Sequence, residues 1–310
     1  MFCSTIIPTV GRPTLTRAVQ SVLSQSLSAS EFEVLVVNDS GVPLEDASWQ
    51  KSEQVRVINT NRRERSIARN TGASIAKGDY LHFLDDDDWV FSDAYQHFWD
   101  LSKLSNAGWL YGNTQLIDRQ SNPQIILRHE LHGNCFLQAM SGEWIPLQSS
   151  IIKRDTFLKI GGFNPLLTGP EDIDLLRRVL LVDELAETQN LIATVIMGGV
   201  GSTTDYDQHP HASRLAREDI LDASTSFQRM HASATNSFWV GRMLRIYLTS
   251  TVWNLKHLRL FHVLNRIFHV LLNLLLAGVN LFSKDFWLAV INSYQSITFE
   301  RGFQEARMVK

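Results

Sequence analysis

Four short apolar runs in the first 85 residues constrain this chain more than any other feature: "CSTIIP", "FEVLVVND", "QVRVIN" and "DYLHFLD". A strand with one wet face alternates apolar and polar residues, whereas runs without alternation are buried on both faces. The stretches between them repeat at helical spacing. Leu15, Ala18, Val19, Val22 and Leu23 line one face between Pro13 and Leu27, and Ser66 to Lys77 reads as a second helix that Gly78 would cap. Strand, helix, strand predicts an α/β fold, a mostly parallel sheet flanked by helices. In such sheets ligands sit outside the carboxyl ends of the strands. Three polar stretches fall there, "PTVGRP", "NDSG" and "DDDD", and should converge on one crevice.

The middle of the chain is less regular. "GWLYGNTQLID" and "PQIILRHEL" read as strands around a turn at Asn122 and Pro123, and "GEWIPLQSSIIKRDTFLKIGGFN" mixes strand and short helix. "GPEDIDLLRRVLLV" reads as a helix opened by Pro170. "MGGVGSTTDYDQHPHAS" is a long polar loop, and loops of that length are usually mobile lids or disordered. From about Ser213 the pattern is continuous helix, so residues 1–212 are expected to form the ligand-binding domain and 213–310 a C-terminal helical extension. Within Leu258 to Phe282, His262, Arg266, His269, Asn273 and Asn280 fall on one face of an otherwise apolar helix. A polar stripe argues against a simple membrane span. It leaves open a helix packed on the first domain or in a homo-oligomer, and a helix lying in a membrane plane. Arg242, Arg245, Lys256 and Arg259 would suit an anionic surface.

Composition narrows the function classes. With 310 residues, 44% of them apolar, there is material for a substantial core, and a formal charge of -3 gives no field that would gather nucleic acid. Cys3 and Cys135 are too few for a disulfide framework, as expected in the cytoplasm. The opening "MFCSTIIPTV" has no basic n-region and no cleavage site, so it reads as a first strand.

The chemistry concentrates in "FLDDDDW". Neighbouring carboxylates repel by about 1 kcal/mol per pair at ~4 Å even in bulk water. A divalent cation such as Mg²⁺ or Mn²⁺ removes that cost, since a hard ion takes oxygen ligands and shares substrate phosphates. If the extended backbone continued, Asp85 and Asp87 would project to one side and Asp86 and Asp88 to the other; Asp85 and Asp87 are the preferred pair. One Asp capping the next helix would be the plainer use, but capping needs one and there are four. Asn38 and Asp39 bring a carboxylate to a neighbouring strand end, although Asn-Asp-Ser-Gly is also ordinary turn chemistry. Arg65 and Arg69 are four apart on one helix face, suited to a diphosphate and equally to solvent. Glu171, Asp172 and Asp174 occupy a first helical turn, where the macrodipole favours carboxylates. The dipole lowers a carboxylate pKa, while a general base gains from one raised by burial.

The blocks "TIIPTVGRPTLTRAVQSVLSQ", "VLVVNDSG", "RSIARNTGASIAKGDYLHFLDDDDW" and "IGGFNPLLTGPEDIDLLRRV" together resemble, in order and spacing, the family 2 glycosyltransferases of the GT-A fold, over roughly Ser4 to Leu180. The resemblance implies a Rossmann-like sheet, a nucleotide-diphospho-sugar donor (a UDP-sugar favoured), a divalent metal, and inverting transfer to a glycan or lipid-linked acceptor. It implies donor contacts from Pro8, Thr9, Arg12, Asn38, Asp39, Arg69, Asp85 and Asp86, metal ligation by Asp87 and Asp85, and a catalytic base at Asp172. Trp144 and Glu171 would lie on the acceptor side. The sequence departs from the pattern at Asn38, where an Asp is usual, at Glu64, where a Gly is common, and at Val200, where a His is often found. His209 or His211 would be the substitutes on that loop. A nucleotidyltransferase would carry a Gly-rich basic loop after the first strand, and "PTVGRPTL" lacks one. A non-catalytic sugar-nucleotide binder would lack Asp172.

Overall fold

The non-alternating runs are strands whose residues are all buried: β1 (Cys3–Thr9) and β2 (Phe32–Asn38). Successive side chains feed opposite layers. Ile6, Leu35 and Val37 join one apolar cluster, while Cys3, Ile7, Val34 and Val36 join the other. The remaining strands are β3 (Val55–Asn59), β4 (Tyr80–Phe83), β5 (Trp89–Val90), β6 (Trp109–Ile117), β7 (Pro123–Leu127), β8 (Ser150–Lys153) and β9 (Leu185–Ile196). The helices are α1 (Leu15–Leu23), α2 (Arg65–Ile75), α3 (Ala94–Leu104), α4 (Phe136–Ser141), α5 (Arg154–Lys159), α6 (Glu171–Leu180), α7 (Pro210–Asp222), α8 (Ser226–Ser233), α9 (Ser237–Lys256), α10 (Leu260–Ala277) and α11 (Lys284–Ile291). This computed structural model describes residues 1–60, 63–118, 120, 123–167, 169–196 and 210–293.

The sheet runs β3-β2-β1-β4-β8-β6-β9-β5, with β7 paired to β6. The first four strands are mutually parallel, and β6 and β9 form a further parallel pair. β8 joins the two sets with antiparallel pairs to β4 and β6. Register then fixes the crevice. Ile6 lies opposite Phe83 where β4 ends, Thr9 is paired with Asn38, and the Thr9 hydroxyl reaches Asp86 just beyond β4. The three polar stretches therefore end at one edge, as the strand pattern predicts.

Two local expectations change. The first helix stops at Leu23 instead of Leu27, and Gln25 turns its amide to the carbonyls of Ser21 and Phe91. The second helix ends at Ile75, and Gly78 is not its cap. A Cβ at Gly78 would lie 2.5 Å from the Ser4 backbone nitrogen, so the glycine serves close approach to β1. At the other end of α2, the Glu64 carboxylate accepts hydrogen bonds from the N–H groups of Ser66 (2.9 Å) and Ile67 (2.7 Å). The departure at Glu64 thus caps the helix.

The C-terminal helices share one apolar layer with the sheet: Met230 of α8 and Met243, Ile246 and Tyr247 of α9 belong to the cluster that contains Phe83 and Trp109. α10 lies on α9 with its polar stripe inward. Arg266 is fully buried, with Nη2 2.6 Å from Asp222 and 3.4 Å from Glu218 and Nε donating to Ser250 at 2.9 Å. Asn273 is buried as well, and the leucine face looks outward.

Candidate active site

β1 delivers Thr9, and its side chain holds the acidic turn in place. The Thr9 hydroxyl donates to Asp86 at 2.6 Å and accepts the Gly11 N–H at 2.9 Å. Arg12 Nη1 reaches Asp86 (2.8 Å) and Asp87 (3.3 Å), while Arg17 donates to the Asp87 carbonyl at 2.7 Å. Asp86 is thus neutralised from the β1 side. Burial raises its pKa, and the Thr9 hydrogen bond opposes that.

Extended backbone does not continue past Phe83. The Asp88 N–H donates to the Asp85 carbonyl at 3.1 Å, closing a turn over Asp85 to Asp88. The alternation expected for the four acids therefore fails in one respect. Asp88 joins Asp85 and Asp87, with one carboxylate oxygen of each inside 4.8 Å of the others, while Asp86 points to Thr9. Burial alone would lift Asp85, but the charge and hydrogen bond of Arg69 outweigh it and hold its carboxyl below the usual range. Arg69 Nη2 lies 2.6 Å from Asp85 Oδ1, and Gln148 Nε2 donates to Oδ2 at 3.0 Å. Asp87 has only the longer contact with Arg12 at 3.3 Å, and Asp88 accepts the Ile196 N–H at 2.9 Å but meets no cation among the described residues. Burial and then the charge of Asp85 push both up, Asp88 strongly. Three carboxylates converging with two pushed toward protonation fit a hard divalent cation, whose charge would return them to the ionised form.

Arg69 is the hinge of the site. Its guanidinium is nearly buried, and while Nη2 holds Asp85, Nη1 lies 3.1 Å from Glu171 on the first turn of α6. Arg65 binds the same Glu171 oxygen at 2.7 Å, and the Gly169 N–H donates to the other at 3.0 Å. Glu171 therefore anchors α6 to α2, and the adjacent Asp172 is free for another task. The Asp172 carboxylate accepts the Ile173 N–H at 2.7 Å. Burial first, then the charge of Glu171, raises it to about 6. The tension between dipole and burial resolves in favour of a basic carboxylate.

The other expected residues divide. Asp39 is nearly buried behind Thr9, raised chiefly by burial and drawn back by the Glu64 N–H and the Arg63 charge. Asn38 turns its amide inward, donating to Val42 (2.7 Å) and Asn59 (2.9 Å), so it shapes the strand-end turn. Pro8 is buried within β1 opposite Val37. Trp144 is half-buried on the segment after α4. His209 lies outside the described residues; the ring of His211 lies against Trp253 and His257 on the α9 side. Sequence reasoning missed Asp88, Gln148 and Arg17. The run of acids contained a signal for the first, but a lone Gln between strand fragments contained none.

Comparison with known proteins bears on the family and the fold. Residues 4–160 match the family Glycosyl transferase family 2. The chain is 30% identical over 195 residues to an uncharacterized glycosyltransferase of Haemophilus influenzae, covering 57% of this chain and 61% of that protein. It is 29% identical over 115 residues to the poly(ribitol-phosphate) beta-N-acetylglucosaminyltransferase TarP of Staphylococcus aureus, covering 35% of each. The chain thus spans about three-fifths or less of these relatives. In fold it is similar to the crystal structure of S. aureus TarS 1-349 in complex with UDP-GlcNAc, with a TM-score of 0.58 at 16% identity, over 86% of this chain and 89% of that one.

Proposed function

Because the chain belongs to glycosyl transferase family 2, we propose that it transfers a sugar, with inversion, from a UDP-sugar to an acceptor hydroxyl in the synthesis of a cell-envelope glycan or polymer. The observation that carries this is the Arg69 fork. One side chain ties the acidic turn after β4, through Asp85, to the first turn of α6, through Glu171, so the cation-binding acids and Asp172 face one crevice. Asp85, Asp87 and Asp88 would hold Mn²⁺ or Mg²⁺, and that ion would supply charge to the departing diphosphate. Thr9, Arg12 and Asp39 border the nucleotide side, and Pro8 and Asn38 support their backbone. Arg69, buried between two carboxylates, stays cationic beside the phosphates. Asp172 takes the proton of the acceptor hydroxyl. Its pKa near 6 leaves it ionised at neutral pH yet more basic than a free carboxylate. Trp144 stands beside the acceptor path. The relatives named as poly(ribitol-phosphate) glycosyltransferases support a polymer acceptor. Release of UDP from UDP-sugars with Mn²⁺ tests the reading. Asp172→Asn should lose on the order of 10²–10⁴ in turnover while still binding donor; unchanged turnover would refute Asp172 as the base, and donor binding without turnover in the wild type would favour the non-catalytic alternative.

We also propose that residues 1–212 form the catalytic unit and that the helices of 213–310 rest on the anionic cytoplasmic face of a membrane. Among the described residues one helical stretch, Leu260–Phe282, is long and apolar enough to cross a bilayer. A span would withdraw the fully buried Arg266 from Asp222 and Glu218, so an in-plane position is favoured. The outward residues are strongly exposed, Leu275 at 78%, Val279 at 83% and Phe282 at 91%. Residues 223–284 contain seven Lys and Arg and no Asp or Glu, a charge balance that favours an anionic lipid over a second copy of the same basic face. Sedimentation with phosphatidylglycerol vesicles, weakening with salt, is the expected result; a stable dimer without vesicle binding would assign the face to self-association.

A further inference from the structure

Between α4, α7 and α9 lies a cleft of about 230 Å³ lined by Ser141, Arg214, Arg217, Arg242, Arg245 and Thr249, with Ile246 and Ser293 completing it. Four guanidinium groups converge there. Their partners are mostly carbonyls: Arg217 donates to Met140 at 2.8 Å, Arg242 to Asn292 at 2.9 Å, and Arg245 to Val290 and Ile291 at 2.6 and 2.7 Å. Glu218 lies 2.8 Å from Arg214, but it also serves Arg266, Ser250 and Asn254. Among the described residues Glu218 is thus shared between Arg214 and Arg266, and Arg217 has no carboxylate partner. The Nε atoms of Arg214 and Arg217 are buried with no hydrogen-bond partner among the described residues. Burial, then the charges of Arg177 and Arg214, pushes Arg217 well below the usual arginine range, and burial does the same more mildly to Arg214. Cations crowded this way are costly unless an anion joins them, for the same reason that the crowded aspartates call for a cation.

The geometry points to a second anion site, distinct from the donor's, in which Arg214, Arg217, Arg242 and Arg245 bind a phosphate or diphosphate group carried by the acceptor. Guanidinium forks match phosphate oxygens two at a time. The volume is below the ~300–1,000 Å³ of a whole small-molecule pocket, so the cleft takes the charged group and leaves the rest of its carrier outside. Its position fits the acceptor side. Ser141 leads through Gly142 and Glu143 to Trp144, and Arg177, five residues beyond Asp172 on α6, is electrostatically linked both to Asp172 and to Arg214. The inference rests on the transferase reading only for the carrier's identity.

Calorimetric titration of pyrophosphate into the full chain, without metal and with a chelator present, tests the site apart from the donor pocket, whose uncovered acids repel anions. We expect saturable binding that Arg217→Gln and, independently, Arg245→Gln each weaken about tenfold or more, with Mn²⁺-dependent UDP binding unchanged as the check that both variants fold. Absence of saturable binding to the wild type, or equal affinity in both variants, overturns the site whether or not UDP binds. Repeating the titration with phosphatidylglycerol vesicles separates the sources. Suppressed pyrophosphate binding assigns the cleft to lipid-borne phosphate, and preserved binding assigns it to a soluble or polymeric one.

Discussion

The acidic turn after β4 and the outer face of α10 depart from ordinary patterning in opposite senses. The turn crowds carboxylates where apolar walls raise their pKa values; α10 buries an arginine and turns its leucines to solvent. In the turn, Arg69 compensates Asp85 and Arg12 chiefly Asp86, with a longer contact to Asp87, and the pKa values of Asp87 and Asp88 stay raised. On α10, Asp222 and Glu218 compensate Arg266 and leave the hydrocarbon in want of cover. On the reading proposed above, each remainder calls for a partner, a cation with a diphosphate in one place and a lipid surface in the other. Charge that is fully answered within the chain reads as architecture, and charge or apolar area left over reads as function.

The largest effect should come from the turn. Asp87→Asn should reduce Mn²⁺-supported UDP release on the order of 10³-fold, since it withdraws an anionic ligand from the developing charge, whereas Asp93→Asn on the exposed start of α3 should change it little. Equal turnover in the two variants would erase the distinction between answered and unanswered acids. On α10, Arg266→Met should cost about 3–5 kcal/mol, because it leaves Glu218 buried beside one fewer cation. The double variant with Glu218→Gln should recover part of that loss in urea unfolding. An additive double variant would mean that the pair does not orient the helix.

Asp172 supplies an effect of intermediate size. Its pKa is raised from 3.8 to about 6, so between those values the folded chain holds more protons than the unfolded one. Stability contributed by this group therefore falls as pH rises through that window, and turnover rises through the same window as the base ionises. Asp172→Asn should accordingly melt higher than the wild type at pH 7.5, by about 1–2 kcal/mol at most, with the gain shrinking toward pH 5. A pH-independent difference would deny the raised pKa. The smallest expected change is in folding stability after Leu264→Ser and Leu271→Ser, within about 0.5 kcal/mol because both side chains are largely exposed. The same pair should lose vesicle sedimentation while keeping UDP release.

Much of this was legible before any coordinates. Non-alternating runs announced burial on both faces for β1, β2 and β4 but not for the half-exposed β3, and a parallel sheet with three polar tips at one crevice followed from that reading, whereas the strand order did not. Asp85 and Asp87 stood out by residue type and alternation, while Asp172 and Arg69 were singled out only by the family resemblance. What remained hidden depended on where the backbone bends and which face turns inward. Alternation placed Asp88 away from Asp87, and the turn after Phe83 brought it back. The stripe on α10 was plain from its spacing, but periodicity defines a face without its sense; only Asp222 and Glu218, from a different helix, show that the polar side is the buried one. The arginine cleft likewise gathers residues from α4, α7 and α9 that no local pattern joins.

Calorimetric titration of UDP into the purified chain, with Mn²⁺ and then with a chelator, tests most directly whether the crowded aspartates exist to hold a cation against a diphosphate. Binding that requires Mn²⁺ and disappears in Asp87→Asn is the predicted result. UDP binding of equal strength with chelator, or undiminished in that variant, would contradict it.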